Sequence, residues 1–142
     1  MSEPREAAEW PPQDQGREGA YGLLQRGLAL IKSRHHAQAA IVLERAAHAE
    51  PGKGSILEPL GRAYHHSGQY ERARETFEEL LELDPSAHWA HFALATSLRK
   101  LDRIAEARTH LRLAVALNPA SDLYRNALAR MDPPAEDPDA TS

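Results

Sequence analysis

The sequence contains no cysteine. Disulfide bonds, thiolate catalysis and cysteine-ligated zinc are therefore excluded. Aromatic residues make up only 6% of the chain, and its unbroken apolar runs, such as residues 39–43, are far shorter than the ~20 residues of a membrane-spanning helix. The first residues contain acids and prolines rather than an apolar run, so no signal peptide is predicted. We expect a soluble, cytoplasmic protein.

The sequence also lacks a strong charge of one sign. The formal net charge of the chain is −4. Residues 1–19 carry a net charge of −3 and residues 132–142 a net charge of −4, so the body between them is mildly basic, at +3. A dedicated nucleic-acid binder usually has a larger basic surplus, which disfavours a nucleic-acid partner. The two ends, residues 1–19 and 133–142, are predicted to be disordered acidic tails.

Motifs of catalysis are missing as well. The sequence has neither a glycine-rich phosphate loop nor a nucleophile elbow. Among its eight histidines, His88 and His91 could face the same ion, whereas the adjacent pairs at 35–36 and 65–66 diverge by about 100° on a helix. A zinc site needs three or four converging ligands. We therefore predict a protein that is not an enzyme and that holds no metal or cofactor.

What the sequence does contain is a period of 34 residues. Three prolines in the body are spaced by that interval: Pro51, Pro85 and Pro119. Such a repeat length is typical of arrays in which each unit is one small supersecondary structure. The prolines divide the body into three blocks, which are residues 20–53, 54–87 and 88–121.

When the three blocks are aligned on their prolines, the residues in several columns agree in size. Position eight is small, position twenty is always alanine, and positions eleven and twenty-four are bulky. Small residues let two helix backbones approach closely, and bulky residues fill the space beside them. The four columns, in chain order, are Gly27, Gly61 and Ala95; Leu30, Tyr64 and Leu98; Ala39, Ala73 and Ala107; and Leu43, Phe77 and Leu111.

Each block is predicted to form two helices, because its apolar residues recur at intervals of three and four. Between the two helices of the second block, Gly68 stands where a left-handed backbone ends a helix, and the block's proline prevents the second helix from continuing. Ser55 and Glu58 are spaced as a capping box for the first helix of that block. A last amphipathic helix over residues 122–132 is predicted to cap the array, since a terminal repeat would otherwise expose its apolar face.

This pattern resembles the tetratricopeptide repeat family over residues 20–121. The third block departs from the family pattern at His91, where Trp is usual. The resemblance implies an all-α fold, a right-handed α-solenoid of three helical hairpins with a C-terminal capping helix. The second block carries the resemblance most fully, through Leu57, Leu60, Gly61, Tyr64, Gly68, Tyr70, Ala73, Phe77 and Pro85.

The resemblance also implies where a ligand binds, because the family uses a concave groove lined by the first helix of each pair. Apolar and aromatic side chains predominate in one part of this groove and cations in another. Such a surface suits a peptide with apolar anchors and an acidic group, although the leucines could instead face neighbouring helices. Asn126 and Arg130 of the cap could continue the surface. The candidate groove residues are Tyr21, Leu24, Leu28, Arg62, His65, His66, Trp89, Phe92, Arg99 and Lys100.

One function of the family can be compared position by position. Members that bind chaperone tails hold a terminal carboxylate with Lys, Asn and Arg side chains. The matching positions here are Leu24, Leu28, Pro59, Trp89 and Ala93. Of these, only the Trp89 indole can donate a hydrogen bond, so we predict that this chain has no such clamp.

The sequence therefore predicts a non-catalytic protein–protein interaction module that acts as an adaptor or scaffold. It would bind a peptide or a helix of a partner protein in the groove. Two alternatives remain open: a nucleic-acid-associated helical repeat protein, and a self-assembling structural protein. The oligomeric state is left open between a monomer and a weak dimer. The acidic residues 136–139 could also visit the cationic groove and compete with a partner.

Overall fold

The computed structural model describes residues 19–131, and all regular secondary structure in this part of the chain is helical. The predicted all-α fold is confirmed. The first helix already includes Gly19, and the rest of the two predicted tails lies outside the described residues. The helices are α1 (19–32), α2 (His36–Ala49), α3 (Gly54–His66), α4 (Tyr70–Leu83), α5 (His88–Lys100), α6 (Ile104–Leu117) and α7 (Asp122–Met131).

The helices stack in chain order. From α2 onward each helix packs against the next, and α3 also contacts α5, the first helix of the following repeat. This arrangement of consecutive hairpins is that of a helical-repeat solenoid. Within residues 19–131, no helix combines the length and the apolar composition that crossing a bilayer requires.

The small and bulky columns meet inside each hairpin. A Cβ atom added to Gly61 would lie 2.5 Å from the Phe77 ring, and one added to Gly27 would lie 2.5 Å from the Leu43 side chain. These distances are shorter than van der Waals contact, so in the first two repeats the backbones approach closely only because position eight has no side chain. The column pattern of the sequence therefore corresponds to a physical contact within the hairpin.

One apolar core runs through all three repeats. Leu43, Phe77, Leu94 and Leu98 belong to a single cluster of buried side chains, and none of the four is more than 1% exposed. Each such side chain contributes about 1.5–3 kcal/mol by its removal from water. Because every repeat supplies part of this cluster, the stability of one hairpin depends on its neighbours.

The turn between the two helices of a repeat uses a left-handed residue each time. Gly68 has φ +83°, as the sequence predicts, and the corresponding residues Arg34 and Asp102 have φ of 66° and 63°. A positive φ is strained for a residue with a Cβ atom. The packing of the hairpin thus imposes this backbone conformation even where the sequence offers no glycine.

The predicted capping box of the second block is wrong. Helix α3 begins at Gly54, and its N-cap residue makes no side-chain capping hydrogen bond. Ser55 therefore lies within the first turn rather than at the cap position. Glu58 forms an ion pair with Arg62 instead, at 2.6 Å, one turn further along the same face.

The capping helix begins where the sequence predicts. The Tyr124 backbone N–H donates to the Ser121 Oγ at 3.2 Å, which is the usual N-cap bond of a serine. At the other end of α7, the Arg108 guanidinium donates to the Met131 carbonyl oxygen at 3.1 Å. Both ends of the cap are therefore fixed by hydrogen bonds, and its apolar side faces the core.

Candidate functional site

A cavity of ≈ 360 Å³ lies between α3 and α5, the first helices of the second and third repeats. Its floor is Phe77 of α4, the same ring that fills the space beside Gly61. Five of the ten predicted groove residues line it. We call it the anchor cavity, and its lining residues are Glu58, Arg62, His65, His66, Phe77, Trp89, Phe92, Ala93 and Thr96.

The two aromatic residues of α5 differ in how free they are to meet a ligand. The Trp89 side chain stands at the wall of the anchor cavity and is 37% exposed. Phe92 is half-buried, packs against the core and stacks on Tyr124 of the cap, with 5.1 Å between ring centroids. Trp89 is thus the exposed aromatic of the cavity, whereas Phe92 is part of its fixed wall.

The groove residues predicted in the first repeat lie elsewhere. Tyr21 is 72% exposed and Leu28 is 36% exposed, and neither lines the anchor cavity. Leu24 is partly buried and packs against the core. For Leu24 the structure therefore shows the packing role that the sequence left open, and the groove contacts of all three side chains stay predictions.

Positive charge surrounds the carboxyl-terminal ends of α3 and α5. The His65 Nδ1 and the Ser97 Oγ share a hydrogen bond of 3.0 Å. Burial, and after it the positive charges of His66, Lys100 and Arg99, lower the pKa of His65 from 6.5 to about 4. The imidazole is therefore neutral at pH 7, and the cations that act on it are the ones that the sequence predicts for the groove.

His66 is affected in the same direction. Burial lowers the pKa of its imidazole, and the nearby His36, Arg62 and Arg34 add to this effect. The rings of His36 and His66 lie 4.9 Å apart between centroids. The guanidinium groups of Arg62 and Arg34 thus approach this imidazole, which disfavours its protonation.

A second cavity of ≈ 230 Å³ lies at the junction of α5, α6 and α7. It includes Arg99 and Arg130, which the sequence had suggested as part of one surface. The contributions of Leu111, Ala127 and Met131 were not predicted, because helix packing rather than repeat position brings them there. We call it the junction cavity, and its lining residues are Phe92, Ala95, Thr96, Arg99, Leu111, Ala127, Arg130 and Met131.

The histidines proposed to share an ion point in different directions. The His88 Nδ1 lies 2.8 Å from the Tyr124 hydroxyl. The His91 Nε2 donates to the Pro85 carbonyl oxygen at 2.9 Å, and its Nδ1 lies 3.1 Å from the Nδ1 of His110. Across residues 19–131, no group of three or more His, Asp and Glu side chains is arranged to hold a metal ion.

A larger cavity of ≈ 700 Å³ opens on the other side of α3, between α2 and α4. The Tyr64 hydroxyl donates to Glu44, and the Arg72 guanidinium donates to the same carboxylate at 3.1 Å. Glu75 and Glu79 also line this outer cavity. Its carboxylates outnumber its arginines, which is the reverse of the groove side.

Acidification is expected to destabilise the protein between pH 6.5 and about 4. The pKa of His65 is lower in the folded chain than its usual value, and burial lowers the pKa values of His66 and His110 as well. The unfolded chain therefore binds more protons in this window, so stability is complete above pH 6.5 and is lost as the pH falls. Urea denaturation measured at several pH values tests this expectation.

The matched variant for this test is His65→Asn, which can keep a hydrogen bond to Ser97 but cannot be protonated. Its stability should depend less on pH than that of the unaltered protein over the same range. Identical pH profiles for the two proteins would contradict the assignment of the effect to His65.

Two family models, both described as tetratricopeptide repeat, match residues 24–88 and 65–131. The chain belongs to the tetratricopeptide repeat family. The matched ranges together include all of the cavity residues described above.

A curated relative of this repeat protein is Superkiller complex protein 3 of Mus musculus. The two are 33% identical over 94 residues, which is 66% of this chain but 6% of the mouse protein. The chain thus spans a small fraction of the length of that relative. The likeness concerns the repeats alone and transfers none of the larger protein's activity.

Two solved structures show the same repeat fold. The MamA RS-1 ArsTM double mutant superposes with a TM-score of 0.79 at 20% identity, covering 87% of this chain and 68% of that one. The first TPR of Spaghetti (RPAP3), bound to the HSP90 peptide SRMEEVD, has a TM-score of 0.74 at 18% identity, covering 79% of this chain and 89% of that one. At these identities the likeness establishes the fold.

Proposed function

We propose that this tetratricopeptide repeat protein is a non-catalytic protein–protein interaction module that binds a peptide or a helix of a partner in the groove formed by α3 and α5. The observation that carries the proposal is the anchor cavity, with a partly exposed tryptophan at its wall and a buried phenylalanine as its floor. A cavity of this kind accepts one large apolar side chain of a ligand, and tryptophan is among the residues enriched at binding hot spots.

The fold supports the same function. Arrays of repeats present long preformed surfaces, so a ligand loses conformational freedom while the protein does not. The structural neighbour from RPAP3 binds a peptide, which shows that this architecture can serve as a peptide receptor. An adaptor or scaffold role in the cytoplasm is our proposal for this chain, since a module of this kind joins partners rather than transforming them.

The ligand should bind by side chains within its sequence rather than by its end. The positions at which family members clamp a terminal carboxylate are occupied here by Leu24, Leu28, Pro59, Trp89 and Ala93. A peptide with an amidated carboxyl terminus should therefore bind as tightly as the same peptide with a free carboxylate.

Trp89→Ala is expected to weaken peptide binding about tenfold or more, because removing an aromatic hot spot costs ~2 kcal/mol. Phe92 is left intact in this test, since it packs against the core and its loss would also affect folding. The probes are peptides enriched from a random peptide display on the full chain, and their dissociation constants are measured by fluorescence anisotropy.

The control variant is Ile41→Ala, which removes a 58% exposed apolar side chain from α2, outside the groove. It should bind the probes like the unaltered protein, and both variants should keep their helical circular dichroism. If the enriched peptides bind Trp89→Ala and the unaltered protein equally, the groove is not the binding site and the proposal fails.

A further inference from the structure

The anchor cavity and the junction cavity adjoin each other. Phe92 and Thr96 line both, so the Phe92 ring is a shared wall with one cavity on each side. The stack of Phe92 on Tyr124 holds this wall in place. A single peptide crossing α5 can therefore place neighbouring side chains into the two cavities.

Charge in the two cavities is unbalanced. Together they contain three arginines, Arg62, Arg99 and Arg130, and a single carboxylate, Glu58. That carboxylate is already paired with Arg62 at 2.6 Å. No ion pair joins Arg99 or Arg130 to a carboxylate of residues 19–131. The junction cavity thus holds two guanidinium groups and no acid.

The excess of arginines over carboxylates is found on the groove side of α3 and not in the outer cavity. In the outer cavity, Glu44, Glu75 and Glu79 accompany one arginine, Arg72, which is paired with Glu44 at 3.1 Å. The surfaces on the two sides of α3 therefore differ in sign. The mildly basic net charge of residues 20–131 would not by itself separate arginines from carboxylates in this way. The separation therefore points to a negatively charged ligand on the groove side.

We propose that the junction cavity is a carboxylate subsite, which binds an aspartate or glutamate side chain of the partner peptide whose apolar anchor fills the anchor cavity. The inference rests on the proposed function and specifies its ligand as an acidic peptide with an internal apolar anchor. Arg99 and Arg130 are suited to the carboxylate because guanidinium groups bind it with charge-assisted, often bidentate hydrogen bonds. Leu111, Ala127 and Met131 provide apolar walls that strengthen these bonds by limiting access of water.

The source of the carboxylate is the partner rather than this chain's own acidic carboxyl-terminal residues. Residues 132–142 carry four acids but no large apolar side chain. They can supply a carboxylate but cannot fill the anchor cavity. Residues 132–142 therefore cannot occupy both cavities at once, and we assign the occupant to another protein.

The test uses synthetic peptides, acetylated and amidated at their ends, that contain one tryptophan and one nearby glutamate, with glutamine replacing the glutamate in the matched peptide. The change to glutamine should weaken binding to the full chain about five- to tenfold at low ionic strength, as for loss of a charged hydrogen bond. Arg130→Gln and Arg99→Gln should each weaken binding of the glutamate peptide and leave binding of the glutamine peptide nearly unchanged.

Arg45→Gln is the matched control, since Arg45 is an exposed arginine of α2 outside both cavities. It should not distinguish the two peptides. Peptides that bind in a Trp89-dependent way but equally well with glutamate or glutamine would overturn the carboxylate subsite and leave the proposed function standing. Failure of every tryptophan peptide to depend on Trp89 would instead remove the proposed function.

A chain that ends at Asp132 tests the source of the carboxylate. Its affinity for the glutamate peptide should equal that of the full chain. Tighter binding by the shortened chain would show that its own acidic residues compete for the junction cavity, and would overturn the assignment of this subsite to the partner.

Discussion

Replacing Phe77 with alanine is expected to lower the free energy of unfolding by about 3–5 kcal/mol. The ring is 1% exposed and lies in the core cluster that all three repeats share. Its loss removes the apolar contacts of the ring and leaves a cavity that the close contact of α3 with α4 prevents from collapsing. A domain of this size is stable by only ~5–15 kcal/mol, so the variant should lose much of its stability.

The effect should extend beyond one hairpin. Phe77 lies in the middle repeat, and both flanking repeats pack against that hairpin. Because the stability of a repeat array depends on the interfaces between neighbours, weakening the central unit should weaken the whole array. Phe77 is also the floor of the anchor cavity, so any folded fraction should bind tryptophan peptides less tightly.

Urea denaturation followed by circular dichroism measures this change. The matched control is Leu83→Ala, which removes an apolar side chain that is 53% exposed on the same helix. That variant should change the free energy of unfolding by less than ~1 kcal/mol. A loss for Phe77→Ala that is no larger than the loss for Leu83→Ala would contradict the central position of the ring in the core.

Gly61→Ala is expected to destabilise the protein by about 1–2 kcal/mol, although alanine is the better helix former. Helix propensity alone would favour the variant by ~1 kcal/mol. The new methyl group, however, would lie 2.5 Å and 2.7 Å from two atoms of the Phe77 ring. Forcing an extra carbon into a packed core typically costs about 1–3 kcal/mol, and the buried ring cannot turn aside into solvent.

Gly22→Ala in α1 is the control for the direction of this change in stability. A Cβ atom added there meets no atom within 4 Å, so propensity should decide and the variant should gain up to ~1 kcal/mol. Opposite signs for the two glycines would separate close packing from propensity. If both variants were stabilised, the close approach of α3 and α4 at Gly61 would be wrong.

The third repeat suggests a compensating change. It has Ala95 and Leu111 at the two positions that Gly61 and Phe77 occupy in the second repeat. Phe77→Leu combined with Gly61→Ala should therefore recover part of the stability lost in Gly61→Ala. Independent effects would simply add, so the coupling energy of this double-mutant cycle measures the contact directly.

The parts of the fold that were predictable from the sequence are those that recur in each repeat. Three prolines at one interval located the blocks, and the small and bulky columns identified the close contact within each hairpin. Gly68 located one turn correctly. These features were visible because local backbone geometry and nearest-neighbour packing impose the same requirement on every repeat.

The predictions that failed or stayed incomplete concern side chains whose surroundings differ between repeats. Ser55 and Glu58 have the spacing of a capping box, but α3 begins two residues too early for it. Phe92 has the position of a groove residue, yet Tyr124 of the cap covers part of its ring. His91 has no counterpart of its kind in the other blocks, and its partners come from the preceding loop and from α6.

The amino-acid sequence by itself determined the helices, their order and the hairpin unit, because periodic apolar residues and turn residues act over distances of one repeat or less. Only the tertiary structure decided that Trp89 stands exposed beside a cavity while Leu24 turns to the core, and that Arg99 and Arg130 line one cavity. Those positions depend on how three or more helices pack together. No single block of the sequence contains that information.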